Sequence, residues 1–237
     1  MPKLRLRSSL AAAIVIIATV SQHSPAQQPV KNPAVDLGAF IKEIMAMDFR
    51  DGQTHLAMWL PYEFFVAAAL TEGKLSKATV EKDLEILTPY VTVFVQNSIQ
   101  QPNGTSSYAD EKEVRARAFL RLSDGSEITP LHQIPPQVAT TMKALKALIT
   151  AEGDAGSANM HILIFPATTP RGQKVVDTSK KDQLTLVLKA NPRFKETLFR
   201  WRTPFDSVVS VPDCPRCKAG VSAKWSHCPY CGQKLPH

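Results

Sequence analysis

Cys214-Pro215-Arg216-Cys217 and Cys228-Pro229-Tyr230-Cys231-Gly232 decide how the end of the chain folds. They contain all four cysteines of the 237 residues, as two C-x-x-C pairs with ten residues between them. Zn²⁺ takes four thiolates in tetrahedral geometry with sulfur at about 2.3 Å, and two pairs at this spacing can supply such a set. The sequence therefore predicts one closed structural Zn²⁺ site, with Cys214, Cys217, Cys228 and Cys231 as its ligands.

Each pair reads Cys-Pro-x-Cys, and over about residues 212–235 the chain resembles the zinc-ribbon family. Proline fixes φ at the bend, so that the residues after the second cysteine can turn their N–H groups toward sulfur. Gly232 suits a left-handed position after the second pair, where the first pair has Lys218. Apolar and polar residues alternate over 221–226, which predicts a short strand between the pairs. We expect a zinc ribbon over residues 212–237.

Other interpretations of the cysteines remain open. The same residues could form two disulfides in an oxidising compartment. A thioredoxin-like redox pair is disfavoured because neither pair follows a strand and opens a helix. A catalytic zinc would need an open coordination position, which four cysteines do not leave, and His227 is expected to be an exposed neighbour.

Residues 1–26 have the pattern of a secretory signal peptide. Lys3, Arg5 and Arg7 precede an apolar run from Leu10 to Val20, and small residues follow. We expect an exported protein, periplasmic or secreted, with an inner-membrane protein held by an uncleaved N-terminal segment as the alternative. Cleavage would lower the net charge from +7 to +4. That charge is too small for the basic footprint of nucleic-acid binding, so a nucleic-acid partner is not expected.

Residues 27–208 are expected to form one α+β domain: N-terminal helices, then a mostly antiparallel sheet or sandwich, with a hinge near 208–212 before the ribbon. Helices are predicted from Pro33 to Met45, at Tyr62 to Leu70 with a stop at Gly73, after the capping residue Ser76, and from Pro136 to near Gly153. Strands are predicted at His55–Leu60, Tyr90–Val95, Val114–Leu122, Met160–Phe165, Leu184–Leu188 and Thr197–Arg202. Asp51-Gly52 and Asp124-Gly125 are turn signals.

Catalytic motifs are absent from the sequence: it has no H-E-x-x-H, no G-x-S-x-G and no glycine-rich phosphate loop. Three histidines, His55, His132 and His161, could meet in space, although a hydrogen-bonded strand histidine is the more common case. Five arginines would form a cationic stripe if their two strands paired, although a solvated sheet face whose long stems cover apolar surface is the more common case: Arg115, Arg117, Arg121, Arg200 and Arg202. The aromatic cluster around Trp59, Tyr62, Phe64 and Phe65 is expected in the core.

The leading hypothesis is an exported, non-enzymatic binding or structural protein with a protein or cell-envelope partner. No catalytic residues are assigned. One alternative is a periplasmic thiol-redox or zinc-handling protein, since cysteines in that compartment can exchange electrons or metal. Another is a hydrolase, which would require clustered histidines or carboxylates in a pocket.

Overall fold

The structure is a computed structural model, and it describes residues 35–71, 75–122, 124–151, 157–209 and 212–236. The predicted signal peptide, the predicted helix start at Pro33 and the predicted stops at Gly73 and Gly153 lie outside the described residues, as do two positions of the predicted hinge. We call residues 35–209 the body and residues 212–236 the tail.

Five helices and nine strands form the body within these ranges. The helices are α1 (Leu37–Ile44), α2 (Tyr62–Leu70), α3 (Lys77–Leu84), α4 (Glu111–Arg117) and α5 (Pro136–Ala151), with 3₁₀ turns at Glu85–Leu87 and Ser157–Asn159. The strands are β1 (Met45–Arg50), β2 (Gln53–Leu60), β3 (Tyr90–Gln100), β4 (Ser106–Tyr108), β5 (Ala118–Arg121), β6 (Glu127–Ile128), β7 (His161–Pro166), β8 (Asp182–Leu188) and β9 (Thr197–Thr203). No helix among the described residues is long and apolar enough to cross a membrane.

The first sheet has five antiparallel strands in the order β1-β2-β3-β4, with β7 also paired to β3. Asp51 and Gly52 both have positive φ, 52° and 71°, and close the β1–β2 hairpin as the Asp-Gly signal predicts. Strand β3 is nearly continuously buried because it is covered on both faces, as its β-prone sequence indicates.

The second sheet has four antiparallel strands in the order β6-β5-β8-β9. It shares one hydrophobic core with the first sheet. Trp59 of β2 and Trp201 of β9 lie edge to face with centroids 6.2 Å apart, and the Trp201 indole N–H donates to the Ile44 carbonyl at 2.7 Å. The predicted α+β class is confirmed, and Trp59, Phe64 and Phe65 are buried in the core as expected.

The prediction of a strand over Val114–Leu122 is wrong for its first half, which belongs to α4. Asp110 is the N-cap of that helix, with its carboxylate accepting from the Glu113 N–H at 2.7 Å. Acidic residues in the first turn and arginines in the last turn then complement the helix dipole. The strand begins only at Ala118, and Asp124-Gly125 turns it into β6 as predicted.

Candidate metal centre

The four cysteine sulfurs converge at one point of the tail. Within the described residues they form the one group of three or more potential ligands able to hold a metal ion, with all four Sγ atoms within 4.8 Å of one another. Sγ of Cys214 lies 3.6 Å from that of Cys231, and Sγ of Cys217 lies 3.7 Å from that of Cys228. Four sulfurs about 2.3 Å from a central ion would lie about 3.8 Å apart, so the donor set fits a tetrahedral site.

The cluster is built by two copies of one loop, fourteen residues apart. Each loop begins with a cysteine whose N–H donates to a carbonyl five residues later, at 2.8 Å in both copies. In each, the residue after the second cysteine donates to the carbonyl of the first at 2.9 Å. Val221 and Leu235 hold equivalent positions and are buried against the cysteines. The repeat makes the two halves of the site alike and gives the tail a small apolar core of its own.

The backbone of the tail confirms one prediction, the left-handed position at Gly232, and contradicts another, the strand over 221–226. Gly232 has φ 72°, as predicted, and Lys218 has φ 61° at the equivalent place in the first loop. The predicted strand over 221–226 is wrong: the Trp225 N–H donates to the Ser222 carbonyl at 3.1 Å in a turn. Two isolated bridges, Asp213 to Gly220 and His227 to Lys234, stand in place of a strand.

Backbone N–H groups point at the sulfurs, as the Cys-Pro-x-Cys turns predict. The N–H of Cys217, helped by that of Arg216, lowers the pKa of Cys214 to about 6. Cys231 also receives an N–H, from Gln233, but desolvation and its three neighbouring thiols raise the pKa of Cys231 to about 12. The tail therefore favours negative charge on some sulfurs, while four thiolates together need a cation to compensate them.

The tail is docked on the body through three consecutive residues between the two loops. The Ala223 N–H donates to the Asp206 carboxylate at 3.0 Å, and the Trp225 carbonyl accepts from Lys181 Nζ at 2.9 Å. Between them, Lys224 Nζ donates to the Glu43 carboxylate of α1. Both ends of this segment lead directly into the cysteine loops, so its position depends on theirs.

Glu43 of α1 bonds both to Asp206 and Ser207, near the end of the body, and to Lys224 of the tail. Besides Lys224, it accepts the N–H of Asp206 at 3.0 Å and that of Ser207 at 2.9 Å. Burial raises the pKa of Glu43, but the hydrogen bonds from Lys224 and Ser207 outweigh it and hold the pKa below its ordinary value. Glu43 is therefore an anionic acceptor in the folded protein at neutral pH.

The histidines singled out in the sequence have separate surroundings. His55 and His161 lie on strands that flank β3, opposite Asn97 and Val95. Nε2 of His55 contacts the Gln53 side chain at 3.1 Å, and burial lowers the pKa of His55, whereas Nε2 of His161 contacts the Ala109 carbonyl at 2.8 Å. His132 is exposed. Among the described residues none of the three belongs to a potential metal site.

The condition for a cationic stripe is not met, because β8 lies between β5 and β9. Arg115 and Arg117 are in α4, and Arg117 is buried. Its guanidinium donates to the Lys189 carbonyl at 2.6 Å and the Lys195 carbonyl at 3.2 Å, and stacks on Phe194 at 5.0 Å. Arg117 therefore holds the β8–β9 loop instead of facing a ligand.

No protein-family model, curated protein or solved structure matches the chain.

Proposed function

We propose that this chain is an exported zinc-binding protein without catalytic activity, and that its body and docked tail together bind a protein or cell-envelope partner. The observation that carries the metal part is the convergence of the four cysteine sulfurs within 4.8 Å. Export rests on the signal-peptide pattern of residues 1–26, and the partner class follows from that compartment.

Zinc is favoured over other metals by the donor set. Four thiolates in tetrahedral geometry suit Zn²⁺ or iron, and a site with no open position suits a structural role. Bound there, zinc would hold the two loops together, and in zinc-finger peptides such binding contributes on the order of 10 to 16 kcal/mol. The residues that would hold it are Cys214, Cys217, Cys228 and Cys231.

The pattern of sulfur distances favours a shared ion over redox pairs. All four Sγ atoms lie within 4.8 Å of one another, and the contacts at 3.6 and 3.7 Å join one loop to the other, whereas a C-x-x-C redox pair would need only the two sulfurs of one loop.

Zinc handling is a second candidate, and the exposure of one sulfur supports it. Cys217 is exposed, although Cys214 and Cys228 are buried. A chelator or an acceptor protein could approach the ion from the Cys217 side. Slow release of zinc to an excess of chelator would favour the structural role, and release within seconds would favour metal transfer.

Metal analysis of protein recovered from the exported fraction tests the proposal. We expect one zinc per chain and no iron in the native protein, and loss of zinc in the Cys214→Ser variant. Ser226→Ala, in the same tail, is the matched control and should keep the metal. Protein that is exported with two disulfides and no metal would refute the zinc site, and metal-loaded protein confined to the cytoplasm would refute export.

A further inference from the structure

Among the described residues of the body, β1 carries the two most exposed large apolar side chains. In the part of the chain that the structure describes, β1 is the end strand of the first sheet and pairs only with β2. Met47 is 51% exposed and Phe49 is 65% exposed. They lie on the face that carries Leu56 and Thr54, opposite to the face through which His55 and Trp59 reach the second sheet.

The hairpin geometry shows which backbone groups of β1 are unpaired. In a two-residue hairpin the pair that flanks the turn is hydrogen-bonded, and hydrogen-bonded pairs then alternate along the ladder. Arg50 pairs with Gln53, so Arg50 and Asp48 direct their N–H and C=O groups to β2, while Met47 and Phe49 direct theirs outward. Within the described residues, no backbone or side-chain group bonds to these outward groups.

Such an edge is a template for another strand. Natural sheets protect open edges with proline, charged side chains, bulges or a covering segment, and the two charged residues of β1, Asp48 and Arg50, have opposite signs. β1 reads Met-Ala-Met-Asp-Phe-Arg and pairs residue for residue with β2, without a bulge. Its exposed face is apolar, which favours burial against a partner.

The sequence at the edge is complementary to itself. When Asp48-Phe49-Arg50 is laid antiparallel on a second copy, Asp48 stands opposite Arg50 of the other copy, and Phe49 stands opposite its own equivalent. The charged pairs then fall at non-hydrogen-bonded positions, where opposing side chains are closest. The outward N–H and C=O of Phe49 meet those of the second Phe49 and can exchange two hydrogen bonds.

We propose that two copies of the chain pair antiparallel through β1, with the two-fold axis at Phe49. The first sheet then runs continuously from one copy to the other, and the two Phe49 side chains lie next to each other on the same face as a cross-strand pair. One terminal nitrogen of Arg50 contacts Asp48 of its own strand at 2.6 Å, the Glu196 carbonyl at 2.7 Å and the Thr197 hydroxyl at 3.3 Å, and the other nitrogens of the guanidinium can donate to the carboxylate of a second copy. The contact is small, so dimerisation is weak and depends on concentration.

Charge reversal tests both the dimer and its register. We expect sedimentation of the purified full chain to show a concentration-dependent dimer. Asp48→Arg and Arg50→Asp should each weaken self-association by about tenfold or more, because each places like charges opposite one another twice. An equimolar mixture of these two variants should dimerise, because both arginines of the first variant then stand opposite both aspartates of the second.

Two further variants keep the test decisive if a charge reversal misfolds. Phe49→Lys should abolish dimerisation, whereas Tyr230→Lys, at an aromatic side chain that is 70% exposed in the tail, should leave it unchanged. A chain that is monomeric at all concentrations would overturn the proposal. So would a dimer lost in Tyr230→Lys, or monomers whose Phe49 amide is protected from exchange by their own N-terminal residues. None of these results bears on the metal site.

Discussion

Lys218 and Gly232 occupy equivalent left-handed positions in the two cysteine loops, with φ 61° and 72°. A residue with a Cβ atom is strained there by about 1 kcal/mol or more, and glycine is not. The Lys218→Gly substitution should therefore tighten zinc binding severalfold, as measured by competition with a chelator. Gly232→Lys makes the converse exchange and should weaken zinc binding by about tenfold. Equal affinities for the two variants would contradict this account of the loops.

Arg117 is the buried cation that ties α4 to the β8–β9 loop. Its planar guanidinium donates to two carbonyls at once, which a lysine ammonium cannot do in the same geometry. We expect Arg117→Lys to lower the free energy of unfolding in urea by about 2 kcal/mol. Arg121→Lys is the control, because Arg121 is 41% exposed and its ion pair with Glu127 is long at 3.6 Å. Equal losses of unfolding free energy in the two variants would show that the two hydrogen bonds of the Arg117 guanidinium do not stabilise the fold.

For individual residues, the sequence alone predicts the structural role of those whose bonding partners are close along the chain. The four cysteines and Gly232 were predictable because the spacing of two short loops defines them. Glu43 and Arg117 were not, since their partners lie up to 181 residues away and no local pattern marks them. For Arg117 in particular, the alternating polarity of its neighbours favours a solvated sheet face, whereas the side chain is buried.

The segment 223–225 is the element through which the tail meets the body, and it depends on the charge of Glu43. The pKa of Glu43 is lowered on folding, so this carboxylate stabilises docking fully above its ordinary pKa, and the stabilisation is lost as the pH falls through the lowered value. We predict that the Ala223 amide loses protection from hydrogen exchange as the pH falls over that acid range, where protonation of the thiolates also releases zinc. Its N–H bonds to Asp206 and so reports docking directly.

Glu43→Gln should remove the contribution of Glu43 to this pH dependence, and its effect on docking is measured at neutral pH, where zinc stays bound. It weakens docking by about 1 to 2 kcal/mol at neutral pH, because an amide attracts Lys224 less than a carboxylate does. Asp206→Asn retains an acceptor oxygen for the Ala223 N–H and should change protection only slightly. If the Gln variant kept full protection at neutral pH, Glu43 would not be the docking residue.

Among the elements, α4 shows why alternation misled the sequence analysis. Alternating small apolar residues and arginines fit a strand, but the N-cap at Asp110 and the charges at the two ends of 111–117 specify a helix. Short elements offer too few residues for the two periods to be distinguished. The Asp-Gly turns were predictable because each needs a residue with positive φ, which glycine supplies: Asp51 and Gly52 both have positive φ, and at the second turn Gly125 has φ 81°.

The body and the tail have separate apolar cores, so they should respond differently to loss of metal. The tail core consists of cysteines and two aliphatic residues, which is too little to fold without the ion. We predict that a strong chelator abolishes amide protection at Val221 and Leu235 but leaves the amides of β2 and β3 protected. A cooperative loss of protection in both parts would contradict separate cores.

For the whole molecule, the sequence supported the α+β class and a metal-binding terminus, but not their arrangement. The order of strands and the docking of the tail depend on contacts between distant residues, such as Trp59 with Trp201 and Glu43 with Lys224. The β1 edge was missed because Met45 continues the helical pattern of α1 and hides the start of the strand.

Mass spectrometry of the purified chain under native and denaturing conditions tests the central claim most directly. The account predicts that the native mass exceeds the denatured mass by one zinc, and that the denatured chain has four free thiols. A chain lighter by four hydrogens, with the same mass under both conditions, would show two disulfides in place of the metal and would contradict the account.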